Sequence, residues 1–213
     1  RGLRLLGLGD VARNLGVSDN PARGVAQRRD RQGNIGVLTG FGEREELERA
    51  VRDLNFRGGY IGTNVKGNYY GTPDFDPFWA KAQELDVLMI MHPEWVAGGD
   101  KMGGYGLRTV CGNPADTTLS VGYMIYSGVF DRFPNLKLAL LHGGGFFPYH
   151  LGRFDNGFRS GGGAARMPAQ QPPSKYLKNL YFDNLVYRVE TVVYLKRMFG
   201  ADHIMVGTDY PFD

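Results

Sequence analysis

Leu136-Lys137-Leu138-Ala139-Leu140-Leu141-His142-Gly143-Gly144-Gly145 joins an apolar run of strand length to a histidine and three glycines. Such a segment delivers an imidazole to a point where the backbone is free to turn sharply. Two other runs end alike. Residues 85–91 lead into His92-Pro93, and residues 203–208 lead into Asp209-Tyr210-Pro211. Polar, ligand-type side chains at the C-terminal ends of separate buried strands are how a parallel β/α barrel carries its chemistry. The expected fold is therefore α/β, of the barrel type.

The flanking sequence alternates between strand and helix periods. Residues 35–41 read as a strand. Residues 43–56 follow as a helix, with Leu47, Ala50, Val51 and Leu54 at helical spacing. Residues 58–64 form a glycine-rich strand, a place where another group approaches the backbone closely. A helix over 76–85 has Pro77 in its first turn, where the missing donor costs nothing. After the strand ending at His92 comes a glycine-rich loop over 96–113, long enough to suggest a functional segment. The pattern then predicts a helix from 113 to about 130, the strand before His142, a loop over 157–173, a strand at 180–183, a helix at 189–199 and a strand at 204–207. A further helix is expected over 21–31.

Six strands with no hairpin signal argue for a parallel sheet with crossover helices. Nothing marks a repeat or a second domain, so residues 1–213 are expected to form a single, incomplete β/α barrel domain, since a full barrel takes about 250 residues. A doubly wound open sheet fits six alternating units equally well.

Composition excludes several classes. The net charge is +3, and the charges are dispersed. The densest basic run, Arg28-Arg29-Asp30-Arg31, reads as a solvated helix end. Without a basic stripe interleaved with aromatics, no nucleic-acid partner is expected. No apolar run approaches the roughly 18 residues of a membrane span. The single Cys111 excludes an internal disulfide and fits a reducing compartment, so the expected location is cytoplasmic. That cysteine is either a nucleophile or a small apolar residue.

His92, His142 and Asp209 offer imidazole and carboxylate donors suited to a divalent metal such as zinc. A hydrogen-bonded structural role is the alternative for His92, and a capping role for Asp209. The triple glycine has other possible uses. A lipase-type oxyanion loop would need a Gly-x-Ser-x-Gly elbow, and none of the five serines (Ser18, Ser120, Ser127, Ser160, Ser174) sits in that frame. A phosphate cradle would need a following Gly-Lys-Ser/Thr, which is missing. Arg153 can grip a substrate carboxylate or serve as a surface arginine. Trp95 can wall a pocket or pack in the core. His150 and His203 are expected to be structural.

Taken together, the motifs resemble a known family. His92-Pro93, Asn113-Pro114-Ala115-Asp116-Thr117-Thr118, Gly128-Val129-Phe130-Asp131-Arg132-Phe133-Pro134, His142-Gly143-Gly144-Gly145 with Phe147-Pro148 and Gly152-Arg153, and Gly207-Thr208-Asp209-Tyr210-Pro211-Phe212 resemble the amidohydrolase-related decarboxylases. The likeness runs in order over residues 33–212. It implies a (β/α)8 TIM barrel of the metal-dependent hydrolase type and one divalent metal, zinc first and manganese second. The implied reaction is non-oxidative decarboxylation of a small unsaturated or aromatic carboxylic acid. His92 and Asp209 are implied as metal ligands, and His142 as the acid/base beside the metal-bound water, with Asp209 also catalytic. Arg153 matches an arginine that reaches a neighbouring subunit's site, which implies a homodimer acting on a small carboxylate.

The resemblance extends to hydrolases and hydratases. Cleavage of an amide or lactone, or hydration of a C=C bond, therefore stays open beside decarboxylation, and so does an inactive barrel fragment that only binds. One departure matters. The family's first strand carries a His-x-His pair of further metal ligands, and this sequence has none. By the order of its motifs the chain is expected to begin after two strands and to stop at the eighth, without the C-terminal helices. The functional protein is expected to be longer.

Overall fold

The strands alternate, and the two sets of side chains meet different surroundings. The computed structural model describes residues 44–161 and 167–207, with the backbone of Gly36–Val37. Asp209, the basic run and the helix expected over 21–31 lie outside the described residues. The strands are β1 (Gly36–Val37), β2 (Gly58–Gly62), β3 (Leu88–His92), β4 (Lys137–Leu140), β5 (Leu180–Asp183) and β6 (Ile204–Met205). The helices are α1 (Arg44–Arg52), α2 (Asp76–Glu84), α3 (Asn113–Tyr126), α4 (Val129–Arg132), α5 (Phe147–Arg159) and α6 (Val189–Phe199).

Every strand pairs in parallel with the next one in sequence, in the order β1-β2-β3-β4-β5-β6. One row across the sheet, in register, is Ile61, Met91, Leu140 and Phe182. These residues join Leu47, Trp79, Val121, Met124, Phe147, Leu151, Leu195 and Phe199 from the helices in a large buried cluster. The adjacent row is Tyr60, Ile90, Ala139 and Tyr181. It belongs to a second, smaller cluster that draws only on residues of the strands and their ends.

This separation chooses between the two topologies that the sequence left open. A doubly wound sheet reverses its strand order and carries helices on both faces. Here the order never reverses, and the helices pack on one face, as in a β/α barrel. The smaller cluster is the inner wall of that barrel.

Several elements depart from expectation. The helix expected over 113–130 stops at Tyr126 and restarts as α4, because Gly128 takes a left-handed φ of 74° between them. The loop expected over 96–113 contains a 3-10 turn at Gly99–Lys101 and a π-helical turn at Arg108–Gly112 that runs directly into α3. α5 was not expected at all. Pro148, Gly152 and Gly157 suggest a broken chain, yet Pro148 occupies the first turn, and Phe147 and Leu151 are buried at helical spacing. Trp79 on α2 is fully buried, and its indole N–H donates to the Tyr70 carbonyl at 3.3 Å. Among the described residues, no helix is long and apolar enough to cross a membrane.

Candidate active site at the C-terminal ends of the strands

The inner face of β3 ends at His92, after Leu88 and Ile90. β4 is followed by Leu141 on the inner wall and then by His142. Because β3 and β4 are paired neighbours, the two imidazoles arrive side by side, with ring centroids 5.1 Å apart and planes at 64°. Tyr60 of β2 stacks on His92 from the other side at 5.7 Å. The sheet thus brings together two residues separated by 50 positions in sequence.

Both rings have a buried Nδ1 atom with no hydrogen-bond partner among the described residues. A buried polar atom left unpaired is costly. Burial first, and the neighbouring His142 second, push the His92 pKa down to about 3. His92 is therefore neutral near pH 7, the form whose ring nitrogen can donate a lone pair to a metal. Donor type, neutrality and the unpaired nitrogens fit a divalent cation. Among the described residues, no group of three or more ligand-type side chains is assembled; Asp209 is not one of those residues.

The depressed His92 pKa makes the metal-free protein acid-sensitive. Unfolded histidine takes its proton near pH 6.5, whereas folded His92 resists until about 3. This contribution to stability is present above about pH 6.5 and is lost as pH falls toward 3. The urea midpoint of the metal-free protein is expected to be lower at pH 5 than at pH 7.5, with a smaller difference in His92→Gln. An equal pH dependence in the two proteins would refute the assignment.

The turn after β4 is built in the left-handed region. His142, Gly143, Gly144 and Gly145 have φ values of 54°, 61°, 79° and 63°. The glycines are required by proximity as well as by φ. A Cβ on Gly144 would lie 2.6 Å from the Phe182 ring, and one on Gly145 would lie 2.2 Å from the Pro114 carbonyl oxygen. The triple glycine is thus packed against the protein, which agrees with rejecting an oxyanion or phosphate loop.

Two fully buried carboxylates were given no role by the sequence. Asp183, fully buried at the end of β5, accepts the backbone N–H of His142 at 3.0 Å, of Gly143 at 2.6 Å and of Leu185 at 3.2 Å. Burial pushes its carboxyl pKa up, while the Gly143 and His142 amides pull it down. Its placement after inward-facing Tyr181 repeats the strand-end signal that identified His92. Asp116, also fully buried, lies in the first turn of α3. It accepts from Thr63 Oγ1, from Asn64 Nδ2 at 3.0 Å, from the Tyr69 hydroxyl at 2.6 Å and from the Ala97 amide at 3.0 Å. Burial and this hydrogen bond hold the Tyr69 hydroxyl well above the usual phenol range. Asp116 lies within the family motif at 113–118, but nothing local assigns it a role, because its partners come from two distant loops.

The other expected residues are spread out. Trp95 is 67% exposed, while its carbonyl accepts from Asn64 Nδ2 at 2.7 Å. Arg153 is exposed on α5, with no hydrogen bond or ion pair among the described residues. His150 is exposed on the same helix, against Tyr149. His203 Nδ1 bonds the Leu180 carbonyl at 2.7 Å, at the entry of β5, and the ring stacks on Tyr181 at 4.8 Å. His203 therefore lies at the opposite end of the strands from His92. Cys111 is exposed.

A parallel barrel with paired imidazoles at the C-terminal ends of its strands defines a class of metal-dependent β/α enzyme folds. The chain belongs to the amidohydrolase family, whose model matches residues 18–213. It is 33% identical over 196 residues to 2-amino-3-carboxymuconate-6-semialdehyde decarboxylase of Dictyostelium discoideum, covering 92% of this chain and 53% of that protein. The crystal structure of 5-carboxyvanillate decarboxylase from Sphingomonas paucimobilis superposes with a TM-score of 0.77 at 26% identity, covering 84% of this chain and 56% of the other. Dihydroxybenzoic acid decarboxylase from Polaromonas sp. JS666, a structure with bound manganese, gives 0.71 at 28% identity, with coverages of 80% and 55%. The six strands are part of the (β/α)8 barrel of this family. The chain spans about half the length of the relatives it matches.

Proposed function

We propose that the chain forms part of the catalytic centre of a metal-dependent carboxy-lyase. Its substrate is a small unsaturated or aromatic carboxylic acid, from which carbon dioxide is removed without oxidation. The observation that carries this reading is the His92–His142 pair, inward-facing and unpaired at Nδ1, in a chain for which the three relatives described above are decarboxylases.

His92 and Asp209 would hold one divalent ion, zinc first and manganese as the second candidate. Such an ion supplies Lewis acidity toward water and toward an anionic oxygen of the substrate. His142 serves as acid/base, accepting a proton from water at a ring nitrogen and later returning it. The proton that His142 returns reaches the reacting carbon through Asp209 or that water, and solvent replaces the one proton consumed in each turnover. The carbon–carboxylate bond then breaks, its electron pair stays with the carbon skeleton, and carbon dioxide leaves. Arg153 pairs with a substrate carboxylate, reaching a neighbouring subunit's site in a homodimer, and Trp95 walls the pocket. Residues 1–213 act as one incomplete barrel domain, in the cytoplasm.

The test combines elemental analysis with carbon dioxide release from aryl and muconate carboxylates by the purified full chain. About one zinc or manganese per chain, with release of the gas, is expected. Bound metal with hydrolysis or hydration and no carbon dioxide would replace this reading with its hydrolytic relative. Neither metal nor turnover would mark an inactive barrel.

A further inference from the structure

We infer that Asp183 and Asn184 form a positioning clamp that fixes the backbone on both sides of the site, an inference that rests on the roles proposed above for His142 and Asp209. Neither residue is placed in contact with substrate. Each acts through the neighbouring strand end that it holds.

The first half of the clamp faces β4. His142 is a non-glycine residue at φ 54°, and Gly143 continues at 61°. A side-chain-bearing residue enters this region only when its surroundings over-determine it. Successive N–H groups in such a turn converge into a concavity that accepts an anion. Asp183 fills that concavity from the next strand, taking His142 N–H on Oδ2 and Gly143 N–H on Oδ1. The Leu185 amide on Oδ1 anchors the carboxylate to its own chain. Both oxygens are thus used to hold the His142 turn.

The second half faces β6. Asn184 Oδ1 accepts the Gly207 amide at 2.8 Å. Gly207 precedes Asp209 by two residues in sequence. It also lies close against the clamp, where an added Cβ would come within 3.2 Å of Leu185 Cδ1 and 3.3 Å of Asp183 Cβ. One dipeptide at the end of β5 therefore holds the backbone at one candidate functional residue, His142, and two residues before the other in sequence, Asp209. The two halves should separate in experiment, because one serves the acid/base and the other a metal ligand.

Asp183→Asn keeps the shape but leaves one acceptor oxygen for amides that now use two. In the metal-loaded full chain, kcat is expected to fall about 10- to 100-fold, with KM and bound metal unchanged. In the metal-free protein the His142 and Gly143 amides should exchange with solvent at least tenfold faster. Asn184→Ala should give the other pattern, a metal affinity about 10- to 100-fold weaker, and Asn184→Asp, which keeps an acceptor oxygen, should restore it. Unchanged amide exchange in Asp183→Asn overturns the clamp, as do parallel losses of kcat, KM, metal and melting temperature, which would mark a merely structural role. If Asp183→Asn does not fold, the two Asn184 variants decide, and equal metal affinity in both overturns it. If the unsubstituted protein releases no carbon dioxide, the decarboxylase reading fails instead, while exchange and metal affinity still judge the clamp.

Discussion

Turnover in His142→Ala is expected to fall by about 10²- to 10⁴-fold, the usual worth of a positioned acid/base, while the bound metal stays near its normal content. The expectation comes from where the imidazole sits. His142 follows inner-wall Leu141, its ring lies 5.1 Å from His92, and its backbone is held by Asp183. Removing the ring leaves those backbone bonds intact, because Asp183 grips the main chain and not the imidazole. The variant should therefore fold and load normally, which separates loss of chemistry from loss of structure. Carbon dioxide release and elemental analysis on one preparation check both halves. Retained turnover would end the acid/base assignment. Lost metal would move His142 into the ligand set.

Gly145→Ala is expected to destabilise the protein by roughly 2–5 kcal/mol, as two costs of different origin combine. An added Cβ would sit 2.2 Å from the Pro114 carbonyl oxygen and 2.9 Å from Thr118 Oγ1. The first of these is backbone at the start of α3 and cannot swing aside as a flexible side chain would. Overpacking of this kind costs about 1–3 kcal/mol and occasionally more. Gly145 also has a φ of 63°, where an L-residue pays a further 1–2 kcal/mol or so. Denaturant unfolding of the metal-free protein gives the number directly. A loss under about 1 kcal/mol would mean that the turn after β4 relaxes away from α3, contrary to the packing seen.

Much of the architecture could be read from residue order. The short apolar run in residues 180–182 and the period near 3.6 in residues 44–52 report which side chains must leave water, and each element formed close to where its pattern lay. The glycine-rich strand over 58–62 is a case of close approach, since a Cβ on Gly58 would meet the Leu88 carbonyl oxygen at 2.0 Å. α5 was illegible because its glycines and proline are local breakers, whereas burial of Phe147 and Leu151 against the sheet stabilises the helix from outside. Propensity is a weak prior where tertiary packing opposes it.

The same division holds at the site. Residue order was sufficient to place an imidazole at the ends of β3 and β4, because a strand fixes which face each side chain takes and where the run stops. It also supplied the family likeness, which is carried by short motifs that survive in order. Long-range pairing had to settle the rest. The barrel emerged over the doubly wound sheet only when strand neighbours and helix faces were known. Asp116 gathered donors from Thr63, Asn64, Tyr69 and Ala97, and Asp183 turned out to hold a backbone 41 residues away. A carboxylate carries no sign in its own neighbourhood of which distant amides it will meet. Those partners are set by strand register, and register is fixed by burying a whole sheet face at once.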